Sequence, residues 1–323
     1  MSEARYVRSD DLFKLQAEAT IDAYSVIQLP TGEAAFLDAA APVSSGAYTD
    51  QLRTRGKATV VKATGFVALP GQDAWWDHSA NNVTYKRVND RDFRVGVFAE
   101  DAASAAISCV VDLNKARCDL IDVNRDPCLS TTAGTAAAGG FGRALRVGGS
   151  HKLLLSSTSE AQKVDLLSVD GVAPGAKWIA EAVIRVISDG AGTTPDFSIG
   201  LANGTHATDA DSITESCFLH LDGNAADIFA ESDDGTTEVA ATDTTINYTE
   251  GSAVANRVHV LFDGRDLADI QVYVNGSLVL GSTVFKLDAA TGPLFLLAHL
   301  EKTSSADVYE VDIDTLRLWT SEQ

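Results

Sequence analysis

An Asn-Gly pair between two alternating apolar runs is the feature that most limits what this chain can fold into. It lies in the segment IQVYVNGSLV, residues 270–279. A two-residue hairpin turn needs positive φ at its central residues, and Asn and Gly adopt that conformation at little cost. The segment therefore predicts two paired antiparallel strands joined by the turn Asn275-Gly276.

Short strand patterns recur along the whole chain of 323 residues. In the first half, segments 56–69, 93–100 and 105–113 alternate apolar and polar residues, with turn-forming residues about every ten positions. In the second half, similar segments run from 153–156 to 308–319. The sequence predicts an all-β protein, and its length favours two domains.

Charge divides the chain unevenly. Residues 1–130 contain 14 Lys and Arg against 18 Asp and Glu, whereas 131–323 contain 11 against 27. A strongly acidic surface repels phosphate backbones, so we expect no nucleic-acid partner. No apolar run approaches the roughly 20 residues of a membrane helix, and Met1 to Lys14 is polar, so we expect no membrane partner and no signal peptide.

Four segments of the first half contain short motifs that follow one another in a fixed order. They are GKATVVK (56–62), GQDAWWD (71–77), DFRVGVFAED (92–101) and VVDL (110–113). This order resembles the capsid cement, or head decoration, proteins of bacteriophages, although those usually have one aromatic residue where this chain has two. The resemblance implies that residues 21–114 form a small β-barrel or sandwich on the outer surface of the virion. It also implies the major capsid protein as partner, a homotrimer, and synthesis in the host bacterial cytoplasm.

The segments on either side of that domain lack strand patterns. Residues 1–20 are polar and are predicted to be an arm that orders on binding. Residues 115–140 are charged and irregular, then rich in Ser, Thr, Ala and Gly, which favours a linker.

Three segments of the second half carry a second resemblance. FGRALRV (141–147), the hairpin at 270–279 and DIDTLRLW (312–319) resemble the opening, hairpin and closing strands of concanavalin A-like, laminin-G-type jelly rolls. The resemblance implies a lectin-like β-sandwich over 141–323. Together the two resemblances predict a phage head decoration protein that displays this sandwich outward, where it contacts host-surface glycans. The alternative is a carbohydrate-binding adhesion protein of the virion or cell surface.

Four aromatic residues of the first half are the candidate contacts with the capsid or with other subunits. Trp75 and Trp76 are adjacent, so on a strand they point to opposite sides, one to the core and one outward. An exposed Trp is a common interface anchor. Phe66 and Phe93 complete the predicted set.

Three carboxylates alternate along the predicted last strand. Glu310, Asp312 and Asp314 should point to one face, where they are solvated or contact a glycan or a cation. Paired carboxylates also serve retaining glycosidases. Here Thr315 stands where some jelly-roll glycanases have a further Glu, so we predict no enzyme and no catalytic residue.

The sequence contains no recognisable metal or cofactor motif. Acidic segments 209–212 and 231–234 offer oxygen atoms to calcium but lack EF-hand spacing. Cys109, Cys118, Cys128 and Cys217 match no zinc pattern and are expected to be free thiols. We therefore predict no metal and no cofactor.

Overall fold

A computed structural model describes residues 12–116, 120–134, 141–146, 149–190, 195–222, 226–303 and 305–320. The all-β prediction is confirmed, and the chain divides into two units, Met1–Cys118 and Asp119–Gln323. Within the described ranges the only helical segments are two 3₁₀ turns, Ala210–Ser212 and Val254–Asn256. None of the described helical segments is long and apolar enough to cross a membrane.

The first unit consists of two antiparallel sheets. One has the strand order β1-β4-β3-β2 and the other β5-β9-β8-β6-β7. The strands are β1 Leu12–Gln16, β2 Val26–Gln28, β3 Ala34–Leu37, β4 Tyr48–Arg53, β5 Gly56–Val61, β6 Asp73–Asp77, β7 Asn82–Thr84, β8 Phe93–Phe98 and β9 Ser108–Leu113.

The first unit has two apolar clusters, and the larger one draws on both sheets, because it includes Val26 of β2 and Ala34 of β3. The larger one contains Phe66, Trp76, Phe93 and Phe98, and the smaller one is built around Leu37 and similar aliphatic residues. Strand alternation produces them: in β5, every second residue is buried from the third onward. The predicted small β-domain is thus a pair of short sheets with two cores.

The N-terminal arm predicted over residues 1–20 is wrong for its second half. β1 pairs antiparallel with β4, and Ala17 and Ile21 are buried in the smaller core. β1 is only five residues long, and its apolar and polar residues do not alternate strictly, so the sequence pattern does not reveal the strand. Residues 1–11 lie outside the described residues.

The second unit is a β-sandwich of two antiparallel sheets. One sheet has the order β12-β13-β24-β15-β20-β21-β22, with β10 also paired to β24, and the other has the order β11-β14-β23-β16-β17-β18-β19. The strands are β10 Leu120–Asp122, β11 Cys128–Gly134, β12 Gly142–Leu145, β13 His151–Leu155, β14 Gln162–Val172, β15 Trp178–Asp189, β16 Pro195–Ala202, β17 Glu215–Asp222, β18 Asp227–Asp234, β19 Glu238–Asn247, β20 Val258–Gly264, β21 Gln271–Val274, β22 Ser277–Val279, β23 Leu294–Lys302 and β24 Tyr309–Thr320.

One apolar core fills the space between these two sheets. Trp178, Phe197, Phe262 and Tyr309 are among its fully buried members. The predicted hairpin is confirmed: Asn275 and Gly276 adopt φ values of 51° and 85° between β21 and β22.

The linker predicted over 115–140 is also wrong in part. β10 adds to one sheet of the sandwich, and β11 pairs along β14 at the edge of the other. Most β11 side chains are exposed and small, so the segment has no apolar alternation, yet all its residues pair with residues of β14. The sandwich therefore begins before residue 141, the predicted start. Residues 117–119 and 135–140 are outside the described ranges.

Candidate functional site

The four aromatic residues predicted as capsid or subunit contacts are mostly core residues. Phe66, Trp76 and Phe93 are less than 10% exposed and pack in the larger cluster of the first unit. They are corrected to structural residues, because a buried ring cannot reach a partner. Trp75 is half-buried, as expected if adjacent Trp side chains point to opposite sides of β6. Of the four, Trp75 alone stays a predicted contact.

The three carboxylates of β24 do point to one face, the outer side of its sheet. There each meets at least one cation. Lys152 Nζ lies 2.8 Å from Glu310 Oε2, and Arg146 binds both Glu310 and Asp312.

Asp314 is held in the same way. Arg185 Nη2 lies 2.8 Å from its Oδ1, and Arg257 Nε lies 2.7 Å from its Oδ2. Across this network, three carboxylates meet four cationic side chains. The predicted cation contact at Glu310, Asp312 and Asp314 is therefore corrected, because their charge is already neutralised.

A second group of polar residues covers the outer side of the seven-stranded sheet. In β14, β16, β17 and β23, alternate residues such as Val164, Ile199 and Leu219 enter the core, and their neighbours point outward. Antiparallel register then aligns the outward residues in rows across the sheet. We call this group, together with Asp211 from the 3₁₀ turn beside it, the polar face; it consists of Asp165, Asp196, Ser198, Asp211, His220, Phe229, Glu231, His299 and Glu301.

His299 lies between two carboxylates at one end of the polar face. Its Nδ1 lies 2.6 Å from Asp165 Oδ1 and its Nε2 lies 2.9 Å from Glu301 Oε2. Lys163 Nζ lies 2.6 Å from the other oxygen of Asp165. Burial alone would lower the pKa of His299, but hydrogen bonds to Asp165 and Glu301 raise it to about 9. The ring is therefore a cation at neutral pH.

His220 lies between three carboxylates at the other end of the polar face. Its Nε2 lies 3.4 Å from Asp196 Oδ1, and its Nδ1 lies 3.5 Å from both Asp211 Oδ1 and Glu231 Oε1. The half-buried ring of Phe229 stands edge-on to the imidazole, with centroids 6.3 Å apart. An aromatic surface and three carboxylates thus meet around one buried histidine.

Asp211 reaches His220 from a loop that folds over the sheet. Ala210 and Ile213 pack on the outward side chains of Phe218 and Leu297, in an apolar cluster separate from the main core. Asp209 caps the 3₁₀ turn by accepting a hydrogen bond from the backbone N–H of Asp211. These contacts hold Asp211 beside β17 and β18.

Burial and charge shift the pKa values of this second group. Burial raises the pKa of Asp196 to about 7 and also raises the pKa of Glu231. Burial would lower the pKa of His220, but the carboxyl groups of Asp211, Glu231 and Asp196 around its ring raise it to about 11. Perturbed groups of this kind concentrate at functional sites.

The side-chain atoms of Asp211, His220 and Glu231 form a possible metal donor set. One donor atom from each lies within 4.8 Å of the others. Asp211 and Glu231 line a cavity of about 70 Å³, together with residues such as Ser216 and Glu238. Within the described ranges, Glu231 Oε1 is buried and forms no hydrogen bond.

Comparisons with known proteins were made for the whole chain. No protein-family model matches it, and a search of curated proteins returns no match. Among solved structures, the carbohydrate recognition domain of Emp47p is similar over 63% of this chain and 95% of its own, with 14% identity and a TM-score of 0.43. LamAcat from Zobellia galactanivorans is similar over 53% and 78%, with 16% identity and a TM-score of 0.37. A structure from a study of endo-acting O-glycanases of the human gut microbiota is similar over 54% and 80%, with 13% identity and a TM-score of 0.38.

The predicted β-sandwich is confirmed by the two antiparallel sheets of the second unit. At such low identity and TM-score, no function is carried over from these structures. None of these similarities supports head decoration by residues 21–114, which stays a prediction.

The sequence marks segments 209–212 and 231–234 as acidic, but no functional site is predicted at either. The structure brings Asp211 and Glu231 together, with Glu231 on a strand. Sequence analysis missed His220, Asp196 and His299. The available signal was alternation: His220 lies between the buried residues Leu219 and Leu221, so it had to point away from the core.

Proposed function

We propose that the second unit binds a carbohydrate on its polar face. The observation that carries the proposal is the half-buried ring of Phe229 beside the carboxylates of Asp196, Asp211 and Glu231. Small-molecule sites combine apolar or aromatic surface with a few placed polar groups. Carboxylates accept charge-assisted hydrogen bonds from sugar hydroxyls, and an aromatic ring packs on the C–H groups of a pyranose.

The polar face is accessible to a ligand from solvent, as carbohydrate binding requires. The side chains of Asp196 and Asp211 are 32% and 52% exposed, so both reach solvent. His220 beneath them is buried and holds both carboxylates in place. A ligand therefore meets acceptors that are already oriented, which lowers the entropic cost of binding.

A glycan array followed by calorimetric titration of the best ligand, in EDTA, tests this proposal. We expect Asp196→Asn in the full-length protein to weaken binding about 10- to 100-fold, the range of a lost hydrogen bond to a charged group. Phe229→Ala removes the ring that packs on the sugar and should weaken binding at least about tenfold, as for a hot-spot residue. Asp288→Asn, an exposed carboxylate outside the polar face, is the matched control and should bind like wild type.

Two results would contradict the proposal. One is the absence of any glycan ligand, and the other is wild-type affinity in both polar-face variants. Release of reducing ends from a bound glycan would show instead that the unit is a hydrolase.

For the first unit we propose attachment to a phage head as a second function. The half-buried Trp75 supports it, since an accessible Trp is a common anchor at protein interfaces. The exposed side chains of Val61 and Ile107, 59% and 74% exposed, add apolar surface to this unit. The major capsid protein, a homotrimer and a place on the virion surface belong to this proposal.

Co-sedimentation of the full-length protein with phage heads that lack it tests this second function. We expect saturable binding that Trp75→Ala weakens at least about tenfold, as for a hot-spot residue. Trp75→Phe, which keeps an aromatic ring, should retain most of the binding. Failure of the wild type to bind heads would refute head attachment and leave carbohydrate binding as the function.

A further inference from the structure

The donor set beside His220 has the composition of a transition-metal site. Asp211, His220 and Glu231 each turn one ligand atom toward a common point, with these atoms within 4.8 Å of one another. They come from a loop, from β17 and from β18, so the register of the sheet and the packing of the loop bring them together. One imidazole and two carboxylates form a mixed nitrogen and oxygen donor set.

The two ring nitrogens of His220 have different neighbours. Nδ1 faces Asp211 and Glu231, whereas Nε2 faces Asp196 at 3.4 Å. A histidine that ligates a metal commonly donates its other N–H to a carboxylate, which fixes the tautomer and the ring orientation. Asp196 stands where that orienting carboxylate is needed.

Charge at this group also favours a cation. Three carboxylates, those of Asp196, Asp211 and Glu231, surround a single histidine. Carboxyl groups therefore outnumber cationic side chains at this group. In the network on β24, by contrast, cationic side chains outnumber the carboxylates.

Glu231 supplies an observation that is independent of the clustering. It is 8% exposed, and its buried Oε1 forms no hydrogen bond within the described part of the chain. His220 Nδ1 lies 3.5 Å from this oxygen without forming a hydrogen bond to it. A buried acceptor that forms no hydrogen bond costs about 1–3 kcal/mol, and a bound ion would remove that cost. The adjoining cavity of about 70 Å³ has room for an ion with a water molecule.

We propose that Asp211, His220 and Glu231 bind one divalent transition-metal ion of the Zn²⁺ or Mn²⁺ class, with Asp196 as the positioning residue behind His220. An imidazole ligand favours these ions over Ca²⁺ and Mg²⁺, which prefer oxygen donors alone. The site shares residues with the proposed carbohydrate face, but metal binding requires no sugar.

Calorimetric titration of EDTA-stripped, full-length protein with ZnCl₂, MnCl₂ and CaCl₂ tests the proposal without any glycan. We expect one Zn²⁺ or Mn²⁺ ion per chain and much weaker binding of Ca²⁺. His220→Gln and Asp211→Asn should each weaken binding at least about 100-fold, and Asp196→Asn about 10- to 100-fold. His78→Gln, an exposed histidine of the first unit, is the control and should bind like wild type.

Asp211→Asn is the variant less at risk of misfolding, because the Asp211 side chain is half exposed. It should fold even if His220→Gln does not. The visible absorption of Co²⁺ bound to the wild-type protein gives a readout that needs no variant. Absence of saturable binding by the wild type, or retained binding in Asp211→Asn, would overturn the proposal. Since glycan binding is measured in EDTA and metal binding without sugar, failure of either function is seen separately.

Discussion

At the scale of single residues, His299 shows how an outward position can be fully buried and still ionised. The side chain is inaccessible to solvent, yet Asp165 and Glu301 occupy its two ring nitrogens. Its other charged neighbours are Lys163, which binds Asp165, and Asp211, whose pKa responds to the charge of His299. Burial without these partners would have made the ring neutral.

The first prediction follows from this histidine. Its pKa is raised from 6.5 to about 9, so its stabilising contribution is fully present below pH 6.5 and is lost as pH rises through 9. Asp165, whose pKa is lowered, contributes in the opposite direction: its stabilisation is present above its ordinary pKa of 3.8 and is lost in acid. His220, whose pKa is raised to about 11, contributes in the same direction over this range. We expect the melting temperature to fall between pH 6.5 and 9.5, as measured by circular dichroism in buffers of equal ionic strength.

His299→Gln is the test variant, because glutamine keeps hydrogen-bonding capacity without a titrating charge. It should be less stable than wild type at pH 6, and its melting temperature should change less between pH 6.5 and 9.5. His78→Gln, in an exposed position, serves as the control. A wild-type decline that persists unchanged in His299→Gln would show that another group causes it.

At the scale of elements, close approach between strands determines where glycine is required. Gly264 on β20 is paired with Trp178 on β15, and the fully buried Trp178 ring lies against the glycine. A Cβ atom at position 264 would lie 2.5 Å from the indole ring, well inside van der Waals contact. The ring is enclosed by the core and cannot move away cheaply.

The second prediction is therefore that Gly264→Ala destabilises the protein by about 1–3 kcal/mol, the usual cost of overpacking a core. Urea denaturation followed by tryptophan fluorescence measures it. Gly204→Ala is a matched control, because no atom lies within 4 Å of a Cβ there and its φ is not left-handed. Equal stability of the two variants would contradict the packing argument.

At the scale of the whole molecule, the two units have separate apolar cores. The sandwich core draws on Asp119–Gln323 alone, and the two clusters of the first unit draw on Met1–Cys118 alone. The acidic excess of the chain also falls mainly in its second part, which carries a balance of −16 beyond residue 130. A domain with its own core generally folds by itself.

The third prediction is that fragments 1–118 and 119–323 each fold when expressed separately. We expect each to melt cooperatively, and we expect 119–323 to keep the metal affinity of the full-length protein within about threefold, a difference of about 0.7 kcal/mol. A fragment cut at residue 141, where the sequence resemblance begins, should be less stable because it lacks β10 and β11. Equal stability of 119–323 and 141–323 would contradict that role for the two strands.

Much of the fold could be read from local sequence patterns. Asn275-Gly276 predicts a hairpin because the turn geometry depends on those two residues alone, and β24 could be predicted because apolar and polar residues alternate along it. β1 and β11 were missed for the converse reason. Their pairing depends on backbone hydrogen bonds to β4 and β14, and such bonds leave little trace in side-chain type.

The candidate site could be predicted only in fragments. Segment composition marked Asp211 and Glu231 as acidic, and alternation on β17 implies an outward His220. That these three meet depends on the register between β17 and β18 and on the packing of Ala210 and Ile213 over Phe218, contacts between residues distant in sequence. The same reasoning applies to Glu310, Asp312 and Asp314: their common face followed from the sequence by itself. Their neutralisation by Arg146, Lys152, Arg185 and Arg257 was decided by the tertiary structure, because charge compensation depends on distance in space and not on position in the chain.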